Sequence, residues 1–317
     1  MTVPHLPVSE DLHGSHNWGR WGEADERGAL NLLTPEVVMA AVSCVREGRV
    51  VPLAQPIKGS TSSPAPTTIP HLKGRPLPQH FMSVDGGDYA AGTRPVGAGL
   101  KMADDAIIVT PHGTTTHMDA LCHMWAGDTL YNGHPADRVR SYGATRCGID
   151  KAGPVVARGV FFDIPTLHGV PYLEADARIT AEDLEACGAD VRPGDVAVVR
   201  TGWPLAWRES PEKYWSGQPG LSAEAGRWLA ERDVCMVASD NSAISGLNAH
   251  QGADESLEDD LHLLFLWRHG IHLAEMLWLE PLVPLLAPQG RTDFLFLASP
   301  LAIDGGTSSP ITPVAVL

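Results

Sequence analysis

Positive charge is scarce in this chain. Its 23 lysines and arginines stand against 38 aspartates and glutamates, a formal net charge of −15. That balance argues against a nucleic-acid partner, because phosphate binding needs lysine and arginine surfaces. Cysteine is sparse too: Cys44, Cys122, Cys147, Cys187 and Cys235 are dispersed, odd in number and without a Cys-x-x-Cys spacing. They read as reduced core thiols of a cytoplasmic protein, with packing the expected role even for Cys122. No apolar run approaches the roughly eighteen residues of a membrane span. The N-terminus carries Asp, Glu and His in place of a basic start and an apolar stretch, so no secretory signal is expected. These absences describe a soluble intracellular protein with no membrane and no nucleic-acid partner.

Glycine and proline, by contrast, are plentiful at 32 and 26 residues, which implies many turns around short regular elements. With 317 residues, 44% hydrophobic and 19% charged, the chain has the composition of a globular protein able to bury a large core. No internal repeat or convincing boundary divides it. The expectation is one domain over 1–317, with an N-terminal arm of about 30 residues and a long Pro/Gly-rich loop over 54–100.

Histidine is the other surplus, at 14 residues, and it is concentrated. His112, His117, Asp119 and His123 fall within one short stretch after the strand-like run Ala106-Ile107-Ile108-Val109-Thr110. If the backbone stays extended through this motif, His117 and Asp119 project to one face, because strand side chains alternate with period two. Imidazole and carboxylate converging on one point suit a divalent cation such as Zn or Mn. A lone His near a strand is ordinarily structural, so a second group of ligands is needed.

The elements around the motif alternate. Thr34 and Pro35 open a helix that runs to Gly48, and a strand follows over 49–53. Residues 54–100 show no sustained period, and His71, His80, Phe81 and Met82 are candidates to cover a pocket. Strands are expected over 159–164, 196–199 and 234–238, with helices opened by Thr180 and Ser222. Wholly apolar strands alternating with short helices point to an α/β or α+β domain with a covered sheet. Trp125 and Tyr131-Asn132 lie close enough to the motif to line a substrate pocket.

The second group of ligands comes late. His262 sits at the start of an expected helix ending at Gly270, sharing a face with Phe265, Leu266 and His269. The strand Ile271–Met276 then places Glu275 on the same face as Ile271 and Leu273. A carboxylate on a buried apolar face is costly unless it is paired or bound to a metal.

Together these residues resemble the cyclase superfamily of metal-dependent hydrolases, which includes kynurenine formamidase and isatin hydrolase. The family signature His-x-Gly-Thr-His-x-Asp-Ala-x-x-His is matched from Thr116-His117-Met118-Asp119-Ala120 to His123. Tyr131-Asn132-Gly133, Gly194-Asp195 to Thr201-Gly202-Trp203, and His262, Gly270-Ile271 and Glu275 match its longer branch. The resemblance implies a compact α/β fold of the swivelling β/β/α type with a mixed sheet and short helices, in dimers or tetramers. It also implies His117, Asp119, His262 and Glu275 as metal ligands or residues beside them, with His123 as general acid/base and Glu275 beside the chemistry. The family's first histidine stands four residues before the second, where this chain has Gly113. His112 lies one residue too early and would need a bulge to serve as a ligand.

The activity expected from this set is hydrolysis of an amide or cyclic amide of a small molecule by a Mn or Zn enzyme. The rival expectations are a cyclase, dehydratase or lactonase on the same site, and a metal-poor binding protein on the same fold.

Overall fold

The computed structural model describes residues 15–58, 68–92, 99–110, 112–247 and 257–317. Among these residues, nine strands form one mixed sheet. In chain order they are β1 (Val50–Pro52), β2 (His117–Asp119), β3 (Val155–Asp163), β4 (Val196–Arg200), β5 (Met236–Ser239), β6 (His272–Glu275), β7 (Asp293–Ala298), β8 (Ser308–Pro310) and β9 (Val314–Val316). Across the sheet the order is β1-β9-β7-β3-β4-β5-β6-β2-β8. The central strands β3, β4, β5 and β6 run parallel, and every other pairing is antiparallel. Strands buried on both faces need apolar residues at every position. Val196-Ala197-Val198-Val199 and Met236-Val237-Ala238 supply them and are buried throughout. The α/β class with a large mixed sheet and short helices is therefore the observed architecture.

Local chemistry explains most of the boundaries. The Thr34 hydroxyl accepts from the Val37 amide at the start of the helix Pro35–Val42. Thr180 and Asp183 form a reciprocal capping box on Ala181–Ala186, and Ser222 caps Ala223–Ala230. These last two helices cross between parallel strands and pack against each other. The first helix is shorter than its pattern suggested. It ends at Ser43, and the left-handed Gly48 (φ 69°) instead turns the chain toward β1.

Three expectations about the backbone need correction. The run near Ala106 does form a strand, Asp104–Ile108, but it pairs with Gln79–Val84 in a separate two-stranded arm. The supposed structureless loop therefore contains a strand and a short helix, Gly86–Ala90. Between that arm and β2 the chain makes a 3-10 turn, His112–Thr114, so the motif is not one continuous strand. Finally, the segment after His262 is a π-helix, Leu263–His269, whose residues are all buried; the left-handed Gly270 closes it. π-Turns widen the helix and recur at functional sites.

The N-terminal segment packs on its own chain. Asn17 donates to the Arg268 and His269 carbonyls and the Trp18 indole to Trp267 O. Gly28 lies so close to Gly270 that a Cβ there would meet the Gly270 carbonyl oxygen, leaving room for glycine alone. No helix among the described residues is long and apolar enough to cross a membrane.

Candidate metal centre

β2 and β6 lie side by side, with Glu275 opposite His117 and Leu273 opposite Asp119. Antiparallel partners share a face, so His117, Asp119 and Glu275 point to the same side. All three are buried. Glu275 is the last residue of β6, at the carboxyl end of the parallel set, where open α/β sheets build their sites. His262 arrives from the cap position of the π-helix.

The distances describe a cluster around a shared centre, not a set of hydrogen bonds closed on one another. His117 Nε2 is 3.7 Å from Asp119 Oδ1 and 3.6 Å from Glu275 Oε2. His262 Nε2 is 3.9 Å from Asp119 Oδ2 and 3.2 Å from Glu275 Oε1. Most of these exceed hydrogen-bond length. Both Asp119 oxygens and Glu275 Oε1 are buried without a hydrogen-bond partner. Such oxygens carry a large desolvation penalty unless a cation meets them. Two carboxylates and imidazole nitrogens are the donor set that Zn and Mn accept, so the residues fit a divalent metal. Ligand atoms of His71, His117 and Glu275 lie within 4.8 Å of one another, and so do those of Asp119, His123 and His262.

The surroundings orient these groups. His117 Nδ1 lies 2.8 Å from the Thr115 carbonyl, which can only accept, so Nδ1 carries the proton and a neutral ring keeps its Nε2 lone pair toward the cluster. Thr116 Oγ1 donates to Met276 O at 2.7 Å and accepts from the Gln55 amide. Met276 holds a left-handed φ of 60°, a strained conformation for a residue with a side chain, directly after Glu275. Burial pushes the Glu275 carboxyl up, but the imidazoles of His262, His71 and His117 gathered around it outweigh that and hold the group well below the usual range. Burial likewise works to lower His262, but the neighbouring Glu275 and Asp119 carboxylates outweigh it and raise the pKa to about 9. Burial is also the main influence on His71, and there it prevails, lowering the pKa against the pull of Glu275.

Of the residues expected from the sequence, His117, Asp119, His262 and Glu275 come together, and His123 stands at the exposed side, its ring 6.1 Å from that of His262. The backbone of His112 lies in the 3-10 turn, and its side chain is outside the described residues. Trp125 is 37% exposed. Tyr131 and Asn132 have their polar atoms engaged with the N-terminal segment. Tyr131 is fully buried and donates from its hydroxyl to Asp25 Oδ2, because its ring packs on Gly270 under the N-terminal segment. Asn132 accepts from the Gly19 amide and donates to the Gly22, Glu23 and Asp25 carbonyls, so its amide staples that same segment. Both groups are engaged in holding the chain.

His71 is the member of the cluster whose role was not legible. Its Nε2 lies 3.3 Å from Glu275 Oε2, and only its position in the long loop suggested a place near a pocket. Asp240, fully buried after β5, accepts from Thr201 N and Oγ1 and from Gly202 N, and it ties the loop after β4 to the same edge of the sheet.

A family model described as "Putative cyclase" matches residues 51–245. A crystal structure described as a novel cyclase is 33% identical, with a TM-score of 0.85 over 96% of this chain and 100% of that one. Isatin hydrolase A from Labrenzia aggregata, bound to benzyl benzoate, is 18% identical with a TM-score of 0.57, covering 88% of this chain and 97% of its own. Isatin hydrolase A from Ralstonia solanacearum is 20% identical with a TM-score of 0.55, covering 89% and 98%. No curated protein matches the chain.

Proposed function

The chain belongs to the cyclase family, and from that premise we propose that it is a metal-dependent hydrolase of an amide or cyclic amide, a formamide, lactam or imide-like carbon–nitrogen bond in a small molecule. The observation that carries the reading is the pair of buried carboxylates, Asp119 and Glu275, whose partnerless oxygens face His117 and His262. His117 and His262 would hold a Mn or Zn ion through nitrogen, and Asp119 and Glu275 through oxygen. When bound, the cation lowers the pKa of a water molecule and polarises a carbonyl.

The remaining tasks fall to this chain's own side chains. The Thr115 carbonyl keeps the His117 proton on Nδ1, away from the cluster. His123, on the exposed side of the cluster, holds a proton for the leaving nitrogen. Trp125 offers an apolar surface on the same short segment for an aromatic or otherwise apolar substrate. Isatin hydrolases share this fold, and hydrolysis of a cyclic amide agrees with the donor set. We extend the reading to a cytoplasmic homodimer or homotetramer.

The test is metal analysis of the purified full chain, followed by turnover of an N-formyl arylamine, a lactam and a cyclic imide after chelation and readdition of Mn or Zn. Metal-restored uptake of one water is expected, read as a ring-opened product heavier by that water from the lactam or imide and as formate plus arylamine from the formamide. Loss of water from an open-chain substrate would make the enzyme a cyclase or dehydratase. Failure to take up either cation would overturn the metal reading in favour of a binding protein.

A further inference from the structure

We propose that His71 is a metal ligand in this chain, carried in from the Pro/Gly-rich loop to replace the side chain that Gly113 lacks. The proposal rests on the metal reading of the site. Gly113 lies in the 3-10 turn four residues before His117. A Cβ built on it would stand 3.4 Å from His117 Nε2, so this position faces the cluster. Its φ lies outside the left-handed region, and glycine is therefore not required there by the backbone. The motif presents a ligand position with no side chain on it.

His71 brings an imidazole to that gap. It is buried, its Nε2 is 3.3 Å from Glu275 Oε2, and its ring stands edge-on to that of His117 with centroids 5.6 Å apart. The approach is built into the fold. Ile69 is buried against Trp203 and Tyr214 in a small aromatic core. Its amide donates to Gln55 Oε1, and the Tyr214 hydroxyl donates to the Pro70 carbonyl at 2.9 Å. Gln55 is in turn bonded to Met276 O and to Thr116, the neighbours of Glu275 and His117. The two residues preceding His71 are thus tied to the same scaffold that carries the other ligands, which is what a preorganised ligand requires.

Arg75 completes the arrangement from the solvent side. Its Nη1 lies 3.2 Å from His71 Nδ1 and 3.1 Å from the Cβ built on Gly113. Arginine can only donate, so His71 Nδ1 accepts and Nε2 holds the proton toward Glu275. For Nε2 to bind a cation the ring proton moves from Nε2 to Nδ1, and the exposed Arg75 side chain has room to leave Nδ1 as it does. The competing role for His71 is a buried partner of Glu275 with no part in metal binding. The two roles separate in metal affinity.

The experiment titrates Mn²⁺ into the chelated full chain, measures free Mn²⁺ by electron paramagnetic resonance, and counts histidine nitrogens on the bound ion by pulsed methods. His71→Ala is expected to weaken Mn²⁺ by at least about tenfold, the lower bound for losing even an outer-shell partner, and to remove one nitrogen coupling. His71→Gln keeps a hydrogen-bonding side chain against Glu275 and guards against simple unfolding, which is checked by thermal melting; it should lose the same coupling. The double variant His71→Ala/Gly113→His should recover most of the affinity, since only the exposed end of Arg75 must yield to the new side chain. Folded His71 variants that match wild type within about twofold with an unchanged nitrogen count would overturn this proposal alone. A wild-type chain that takes up neither Mn²⁺ nor Zn²⁺ would overturn it together with the hydrolase reading.

Discussion

Glu275 and His272 belong to one four-residue strand, both are buried, and they meet opposite fates. Glu275 faces His117, His262 and His71, and its charged form is held by them. His272 points to the other face of the sheet, and its Nδ1 has no hydrogen-bond partner. Burial pushes its pKa down to about 3, and that of His269 to about 4, so both rings are neutral. Burial of an ionisable group therefore does not by itself make a site. What distinguishes the Glu275 face is imidazole nitrogens and carboxylates brought together around unfilled oxygens.

The sharpest way to break this comparison is on the site face. His117→Ala should abolish metal uptake and lower turnover by more than about 100-fold, beyond the range seen for outer-shell partners; retained turnover would remove His117 from the site. His123→Gln should lower kcat by about 10²-fold or more, the range for a general acid/base, while metal content by elemental analysis stays at the wild-type level. If metal is lost as well, His123 is a ligand.

On the opposite face the expected effects concern stability. The folded pKa of His272 lies below the unfolded value of about 6.5, so the unfolded chain binds the extra proton. Its contribution is fully present above about pH 6.5 and is lost as pH falls toward 3, at about 1.4 kcal/mol per pH unit. His272→Leu should therefore flatten the acid limb of a stability-versus-pH curve measured by denaturant unfolding, and leave metal uptake unchanged. An acid limb as steep as wild type would show that His272 is not the buried neutral group described here. Smallest of all, Tyr131→Phe should cost about 1–2 kcal/mol through the bond to Asp25 with turnover unaltered; a large drop in kcat would return Tyr131 to the substrate pocket.

The legible part of the molecule is the part governed by local rules. Thr34, the Thr180/Asp183 pair and Ser222 cap the helices they precede, since a cap is decided within four residues. The apolar runs at Val196 and Met236 became central strands. Less legible were Leu263–His269, where a π-helix and an α-helix draw on the same apolar residues, and β7, β8 and β9 near the C-terminus, which complete the sheet without a motif of their own. Tyr131 and Asn132 matched a family segment, yet only the packed N-terminal residues revealed what their polar atoms hold.

By itself the sequence determined that His117 and Asp119 share a face, that Glu275 lies among buried apolar residues, and that Gly113 leaves a position without a side chain. Each follows from strand alternation or from residue identity over a few positions. Only the tertiary structure decided that β2 and β6 are neighbours, and that His71, some forty residues before the motif, stands against Glu275. Loop 68–75 has no period to read, and its position is set by long-range bonds from Gln55 and Tyr214, which exist only once the sheet has formed.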